Sequence, residues 1–150
     1  TILQNIALAH PRGLSTLGVA SPRRERDAAE RGKSDLAISA TSVQQPVAEL
    51  SGGNQQKVVL AKMLARAPRV LLLDEPTRGI DIGTKSEIYQ LIRDLAEDGV
   101  AVVVVSSELP ELIGIADEIT VLSDGRLVDT VPAASLTEAS LLHLCTRTSA

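Results

Sequence analysis

Four aliphatic residues in unbroken succession, Val70-Leu71-Leu72-Leu73, followed at once by Asp74-Glu75-Pro76-Thr77, constrain this chain more than any other segment. A continuous apolar run of this kind is expected of a strand buried on both faces. The residues that follow complete a larger unit. Ile88, Leu91, Ile92 and Leu95 recur at helical spacing and form the buried stripe of a helix. Thr84 with Glu87 has the spacing of a capping box, and Gly99 sits where a helix C-cap glycine belongs. Val100 to Val105 then reads as a second buried strand. Residues 69–105 are therefore one βαβ unit, with a right-handed crossover and parallel strands.

That reading places Asp74 and Glu75 at the C-terminal end of a strand, where open α/β sheets bind ligands. A carboxylate there is desolvated unless something pairs it, and Mg²⁺ in a phosphate site is the obvious partner. Two adjacent acids divide the work, one facing the metal and the other an attacking water. The plain alternative is a strand that ends in two solvated acids at a turn.

The rest of the chain continues the α/β pattern. Ile2, Leu3 and Ile6 suggest a short helix that His10-Pro11 and Gly13 stop. Residues 21–35 carry five basic and four acidic side chains and read as a solvated helix with Pro22 in its first turn. Leu36 to Leu50 reads as loop, and residues 51–67 as a helix stopped by Pro68. After the βαβ unit come a short helix from Leu109 to Ala116 and strands Ile119–Ser123 and Arg126–Val131. Asp124-Gly125 joins those strands as a hairpin turn. Ser135 with Glu138 opens a last helix.

Composition excludes some functions. Tyr89 is the only aromatic residue, so the stacking platforms of single-strand nucleic-acid binders are absent. The net charge of −4 argues against general nucleic-acid binding. Cys145 has no partner for a disulfide, which fits a cytosolic protein, and reads as a small apolar filler. Neither His10 nor His143 lies near the motifs, and no Cys/His cluster has zinc spacing. No stretch is long enough for a membrane span and no secretory signal opens the chain, so any membrane role is expected to run through a partner.

A second motif precedes the helix at 51–67. In Leu50-Ser51-Gly52-Gly53-Asn54-Gln55-Gln56, Ser51 is placed to cap the helix, and two glycines allow close approach to the backbone. The N–H groups at such a helix start suit an anion, phosphate in particular. Alone, this is an ordinary turn before a helix. In order with the aliphatic run and Asp74-Glu75-Pro76-Thr77, it resembles the ATP-binding-cassette (ABC) ATPase family, over about Leu50 to Val131. Leu50 to Gln55 looks like the signature motif, Leu71 to Glu75 like the Walker B strand, and Gly79-Ile80-Asp81 like the D-loop. Val104 to Glu108 falls where the switch-histidine strand ends. The spellings Leu50 to Lys57, Asp74 to Asp81 and Ser106 to Glu111 are similar to the second cassette of ribose-, galactose- and xylose-type sugar importers.

The resemblance implies an α/β P-loop NTPase core with a mostly parallel sheet. Residues 1–67 would form part of a helical and signature subdomain, and residues 68–150 part of a RecA-like core. It implies ATP and Mg²⁺ as cofactors. Asp74 would hold the metal, Glu75 would polarise water, and Ser51, Gly52, Gly53, Asn54, Gln55 and Asp81 would serve nucleotide binding across a cassette–cassette contact. The implied partners are a second cassette, a transmembrane permease and, indirectly, a periplasmic sugar-binding protein, with no nucleic acid. The place is the cytoplasmic face of the membrane. Other readings are an ABC ATPase of DNA repair or translation, and an inactive interaction fragment.

Two departures qualify this. The 150 residues hold no Gly-x-x-x-x-Gly-Lys-Ser/Thr phosphate loop. In Gly79-Ile-Asp-Ile-Gly83-Thr84-Lys85-Ser86 the glycines are one residue too close, and Thr84 separates Gly83 from Lys85. The chain opens on Thr1 rather than Met, so the loop and its strand are expected upstream, and residues 1–150 alone are expected to be inactive. Second, Ser107 stands at the switch-histidine position, where a hydroxyl cannot replace imidazole.

Overall fold

The structure, a computed structural model, describes residues 1–9, 15–16 and 19–146. His10 and the stop signals at Pro11 and Gly13 lie outside the described residues. The elements in order are α1 (Ile2–Ala9), β1 (Ser15–Thr16), β2 (Val19–Ala20), α2 (Pro22–Asp35), a 3-10 turn (Val47–Glu49), α3 (Gly52–Leu64) and β3 (Val70–Asp74). They continue as α4 (Ile82–Glu97), β4 (Ala101–Val105), α5 (Leu109–Ile115), β5 (Glu118–Ser123), β6 (Arg126–Pro132), a second 3-10 turn (Ala133–Ser135) and α6 (Glu138–Thr146). The chain divides into two compact units, Thr1–Leu72 with Pro76–Val103, and Leu73–Glu75 with Val104–Ala150.

In the first unit α1 packs against α2 and α3. Ile2, Ile6, Ala29, Val58, Leu60 and Ala61 are buried there. Gly32 makes the junction possible, because a Cβ at this position would lie 3.1 Å from Ile6 Cδ1 and 3.3 Å from Ala61 Cβ. Ser21 caps α2 through a bond from the Arg24 N–H, with Pro22 in the first turn. On α4, Ile88 and Ile92 are buried, and Gly99 takes a left-handed φ of 86° after the helix ends.

β3 and β4 pair in parallel. Ala101 N–H donates to Arg69 O at 3.0 Å, and Glu75 N–H donates to Val105 O at 2.8 Å, so the register advances in the same sense along both strands. The expectation that both faces of these strands are buried is corrected. Leu71 and Leu73 are buried, whereas Val70, Leu72, Val103 and Val105 are exposed. Side chains alternate across a strand, and only one face is covered.

In the second unit, β5 and β6 form an antiparallel hairpin. Asp124 and Gly125 turn it at φ values of 51° and 73°, the two positive angles a type I′ turn needs. Ile119, Val121, Ala133 and Leu141 form its core, with Leu112, Ile113 and Leu144 packed against them. Cys145 is exposed, not an apolar filler, and His143 is also exposed. The cap of α6 is Thr137 rather than Ser135. Its Oγ1 accepts from Ser140 N–H at 3.2 Å, while the Ser135 hydroxyl donates back to Pro132 O at 2.7 Å.

Candidate functional site

The glycine-rich loop begins where α3 begins. Ser51 is in extended conformation at the N-cap, yet its side chain accepts no bond from the helix backbone. The expected capping role is thereby corrected, because the hydroxyl is engaged elsewhere. Asn54 Nδ2 donates to Ser51 Oγ at 2.9 Å, and Asn54 Oδ1 accepts from Ser39 N–H at 2.7 Å. Gln55 Nε2 donates to Leu50 O at 2.9 Å. The two amide side chains thus brace the loop and tie it to the segment after α2. Ser51 and Gly52 are exposed, while Gly53 is buried.

Gly53 is buried by α4. A Cβ added to it would lie 2.1 Å from Thr84 Cγ2, so α3 meets the Thr84 side chain with bare backbone. Around Gly52 the fit is ordinary, with Ile80 Cγ2 at 3.7 Å and Gly79 O at 3.8 Å from an added Cβ. One turn further along both helices, Lys57 Nζ sits 2.8 Å from Glu87 Oε2 and donates to Ala37 O at 3.3 Å. Sequence reasoning missed this pair. Lys57 is visible as the last residue of the signature spelling, but the spacing of Glu87 from Thr84 points to a cap.

Asp81 is the true N-cap of α4. Its Oδ1 accepts the Thr84 N–H at 3.0 Å and its Oδ2 accepts the Thr84 hydroxyl at 2.7 Å. The Thr84–Glu87 capping box is therefore corrected: the helix begins three residues earlier, and Lys57 draws the Glu87 carboxylate. The Thr84 N–H, and then its hydroxyl, hold the Asp81 carboxyl below its ordinary value of 3.8. The structure thus gathers Ser51, Gly52, Gly53, Asn54, Gln55 and Asp81 in the first unit, where the start of α3 meets the segment 79–84.

Asp74, Glu75 and Ser107 belong to the second unit. Asp74 ends β3 and is exposed. Glu75 takes a left-handed φ of 48°, a strained choice for a residue with a side chain. That turn lets its N–H reach Val105 O while its Oε1 accepts from Ser107 N–H at 2.9 Å. The expected catalytic carboxylate and the switch position are thus in contact, through the backbone amide of Ser107. The loop is fixed from behind by buried Glu111, whose Oε2 accepts the Ser106 hydroxyl at 2.6 Å, while Ser106 Oγ accepts from Glu108 N–H at 3.1 Å. Glu111 belonged to the recognised spelling, but its type gave no signal of burial. Among the described residues, no group of three or more His, Cys, Asp or Glu is arranged to hold a metal, and no helix is long and apolar enough to cross a membrane.

Comparison with known proteins bears on these arrangements. The chain is 51% identical over 134 residues to "Ribose import ATP-binding protein RbsA" of Ruegeria sp., a match covering 89% of this chain and 26% of that protein. It is 46% identical over 143 residues to "Arabinose import ATP-binding protein AraG" of Rhizobium johnstonii, covering 95% and 28%. The chain thus spans little more than a quarter of the curated relatives it matches. Among solved structures, it resembles a dimeric ATP-binding cassette in a post-hydrolysis state bound to ADP and Pi. The TM-score is 0.74 at 29% identity, covering 91% of this chain and 58% of that one. A metal-chelate type ABC transporter matches with a TM-score of 0.80 at 21% identity, covering 96% and 58%, and shows the same fold. The α/β architecture expected of an ABC ATPase core is therefore the one observed. The profile described as "ABC transporter" matches residues 3–78, half of the chain, and on that match the chain belongs to the ABC transporter family.

Proposed function

We propose that this chain is part of the ATP-hydrolysing subunit that energises import of a monosaccharide through an ABC permease. The main support is identity of 41–51% to proteins named for ribose import, in matches spanning most of the chain. In this reading residues 1–67 belong to the helical and signature subdomain and residues 68–150 to the RecA-like core. ATP binds between two cassettes, and the longer protein supplies the phosphate loop. Ser51, Gly52 and Gly53 contact the γ-phosphate held by the opposite cassette, and Asp81 lies at the cassette–cassette contact. The subunit sits in the cytoplasm against the inner face of the membrane, and a periplasmic sugar-binding protein feeds the permease.

The open carboxylate of Asp74 suits Mg²⁺, which takes one or two carboxylates together with substrate phosphates and water. When bound, the ion neutralises charge on the phosphates. Glu75 faces the water that attacks. Its left-handed backbone and its bond to Ser107 N–H fit a carboxylate held at a strained functional position.

Ser107 makes the two sites of the transporter unequal. Its contribution to Glu75 is a backbone N–H that any residue but proline would offer, which supports reading Ser107 as no replacement for a switch imidazole. This cassette therefore binds ATP at its own site chiefly for structure and assists hydrolysis at the opposite one through Ser51 to Gly53. The transport reading is tested with the full-length subunit and its permease in proteoliposomes. ATP hydrolysis is measured with the binding protein loaded in turn with ribose, arabinose, galactose and xylose. Stimulation by at least one sugar is expected, and no stimulation by any of them overturns the reading.

A further inference from the structure

We infer that Asn54 sets the polarity of the Ser51 hydroxyl and so is a positioning residue for the phosphate contact. This rests on the ATPase reading above. Donor and acceptor chemistry fixes the orientation of the Asn54 amide. Ser39 N–H can only donate, so the Asn54 atom 2.7 Å from it must be the acceptor, Oδ1. The other end of the amide is then NH₂, and it lies 2.9 Å from Ser51 Oγ. Nitrogen of an amide donates and does not accept, so Ser51 Oγ receives this bond with a lone pair. A hydroxyl has one proton and two lone pairs. With one lone pair occupied by Asn54, the proton remains to be given away.

Ser51 is exposed at the mouth of the loop, beside the bare backbone of Gly52, and its side chain accepts nothing from the backbone of the helix that follows. The Ser51 proton is therefore offered outward, to an acceptor of the kind a terminal phosphate oxygen provides. The amide of Asn54 does two things at once. It anchors the loop to the segment after α2 through Ser39, and it prevents Ser51 from spending its proton inside the loop.

An isosteric change separates the two roles. In Asn54→Asp, one carboxylate oxygen still accepts from Ser39 N–H, and the other now accepts the Ser51 proton. The shape is kept while the polarity of the Asn54–Ser51 bond is reversed. The full-length transporter in proteoliposomes is compared with Ser51→Ala, Asn54→Asp, Asn54→Ala and the double variant Ser51→Ala/Asn54→Asp by steady-state ATPase. Thermal melting and hydrogen exchange at the Ser39 amide are recorded in parallel. A hydrogen bond to a charged acceptor gives an expected loss of about 10- to 100-fold in Ser51→Ala. Asn54→Asp falls to the same level with Ser39 protection retained, and the double variant falls no further. Asn54→Ala, which frees the hydroxyl without consuming its proton, loses less than Asn54→Asp. Wild-type turnover in Ser51→Ala or Asn54→Asp overturns the inference. So does a double variant whose loss is the product of the two single losses, which would assign the effect to the added charge. Loss in Asn54→Ala as deep as in Ser51→Ala also overturns it, and keeps the test decisive if the aspartate variant folds poorly. A wild-type complex with no ATPase activity instead overturns the ATPase reading, and the inference with it.

Discussion

Replacing Gly53 by alanine should loosen α3 from α4, whereas the same change one residue earlier should not. The added Cβ at Gly53 meets Thr84 Cγ2 at 2.1 Å, Cβ at 2.8 Å and Oγ1 at 2.9 Å. Thr84 is β-branched, and its hydroxyl and N–H are both committed to Asp81, so it cannot turn aside without releasing a bond. Overpacking of this kind typically costs about 1–3 kcal/mol. Losing the hydroxyl bond adds about 0.5–1.5 kcal/mol. The better helix propensity of alanine returns up to about 1 kcal/mol. The net destabilisation is roughly 0.5–4.5 kcal/mol. At Gly52 the added Cβ meets nothing closer than 3.7 Å, so Gly52→Ala should stay within about 1 kcal/mol of wild type or be more stable. Hydrogen exchange read by mass spectrometry on peptides covering α3 and α4 of the full-length protein measures this locally. Protection in Gly53→Ala should fall by about 2-fold to about 2,000-fold, and Thr84→Ser, which removes Cγ2, should restore part of it. Equal protection in Gly53→Ala and Gly52→Ala would refute the interlock.

Asp81 gives a pH signature. Its carboxyl is held below 3.8 in the fold by Thr84, so its charged cap contributes stability above that pH and loses it as pH falls through the lower, folded value. Asp81→Asn should therefore melt below wild type at neutral pH, with the gap closing below pH 3.8, and a gap that is constant with pH would contradict this. Lys57 and Glu87 should act as a pair: Lys57→Met and Glu87→Ala should be less than additive in melting temperature, whereas full additivity would dissolve the pair. Residues 1–150 produced alone should self-associate through the apolar side chains of β3 and β4, with Leu72 at 68% and Val103 at 50% exposure. Leu72→Glu should lower the mass found by light scattering, and a strictly monomeric wild type at high concentration would refute this.

Periodicity made the element order from α3 to β6 legible, because apolar spacing in 58–65 and 88–95 and the Asp124-Gly125 turn are local signals. The short β1–β2 pair carried no such signal, being two residues on each strand. In these 150 residues the second face of β3 is open, and a run of leucines states preference for an apolar neighbour without showing that one is present. Caps were misplaced at Thr84 and Ser135 because several Ser, Thr and Asp residues near each helix start compete for the role, and tertiary partners such as Lys57 decide it. Motif spacing named the residues at the glycine loop and the strand end. It did not disclose that Asn54 and Gln55 face their own loop, nor that Glu111 is buried behind Ser106, because those depend on contacts between segments.

The central claim is that this cassette assists a site other than its own. A positioned general base is typically worth ~10²–10⁴-fold in rate, or about 3–5 kcal/mol of barrier. If Ser107 already slows the site, that site has little of this to lose. Steady-state ATPase of reconstituted full-length complexes carrying Glu75→Gln or Gly52→Asp tests this most directly. Glu75→Gln should leave most of the turnover. Gly52→Asp should remove nearly all of it, because a carboxylate would stand where the opposite cassette's γ-phosphate docks. Turnover abolished as fully by Glu75→Gln as by Gly52→Asp would show that both sites must fire, and would contradict the account.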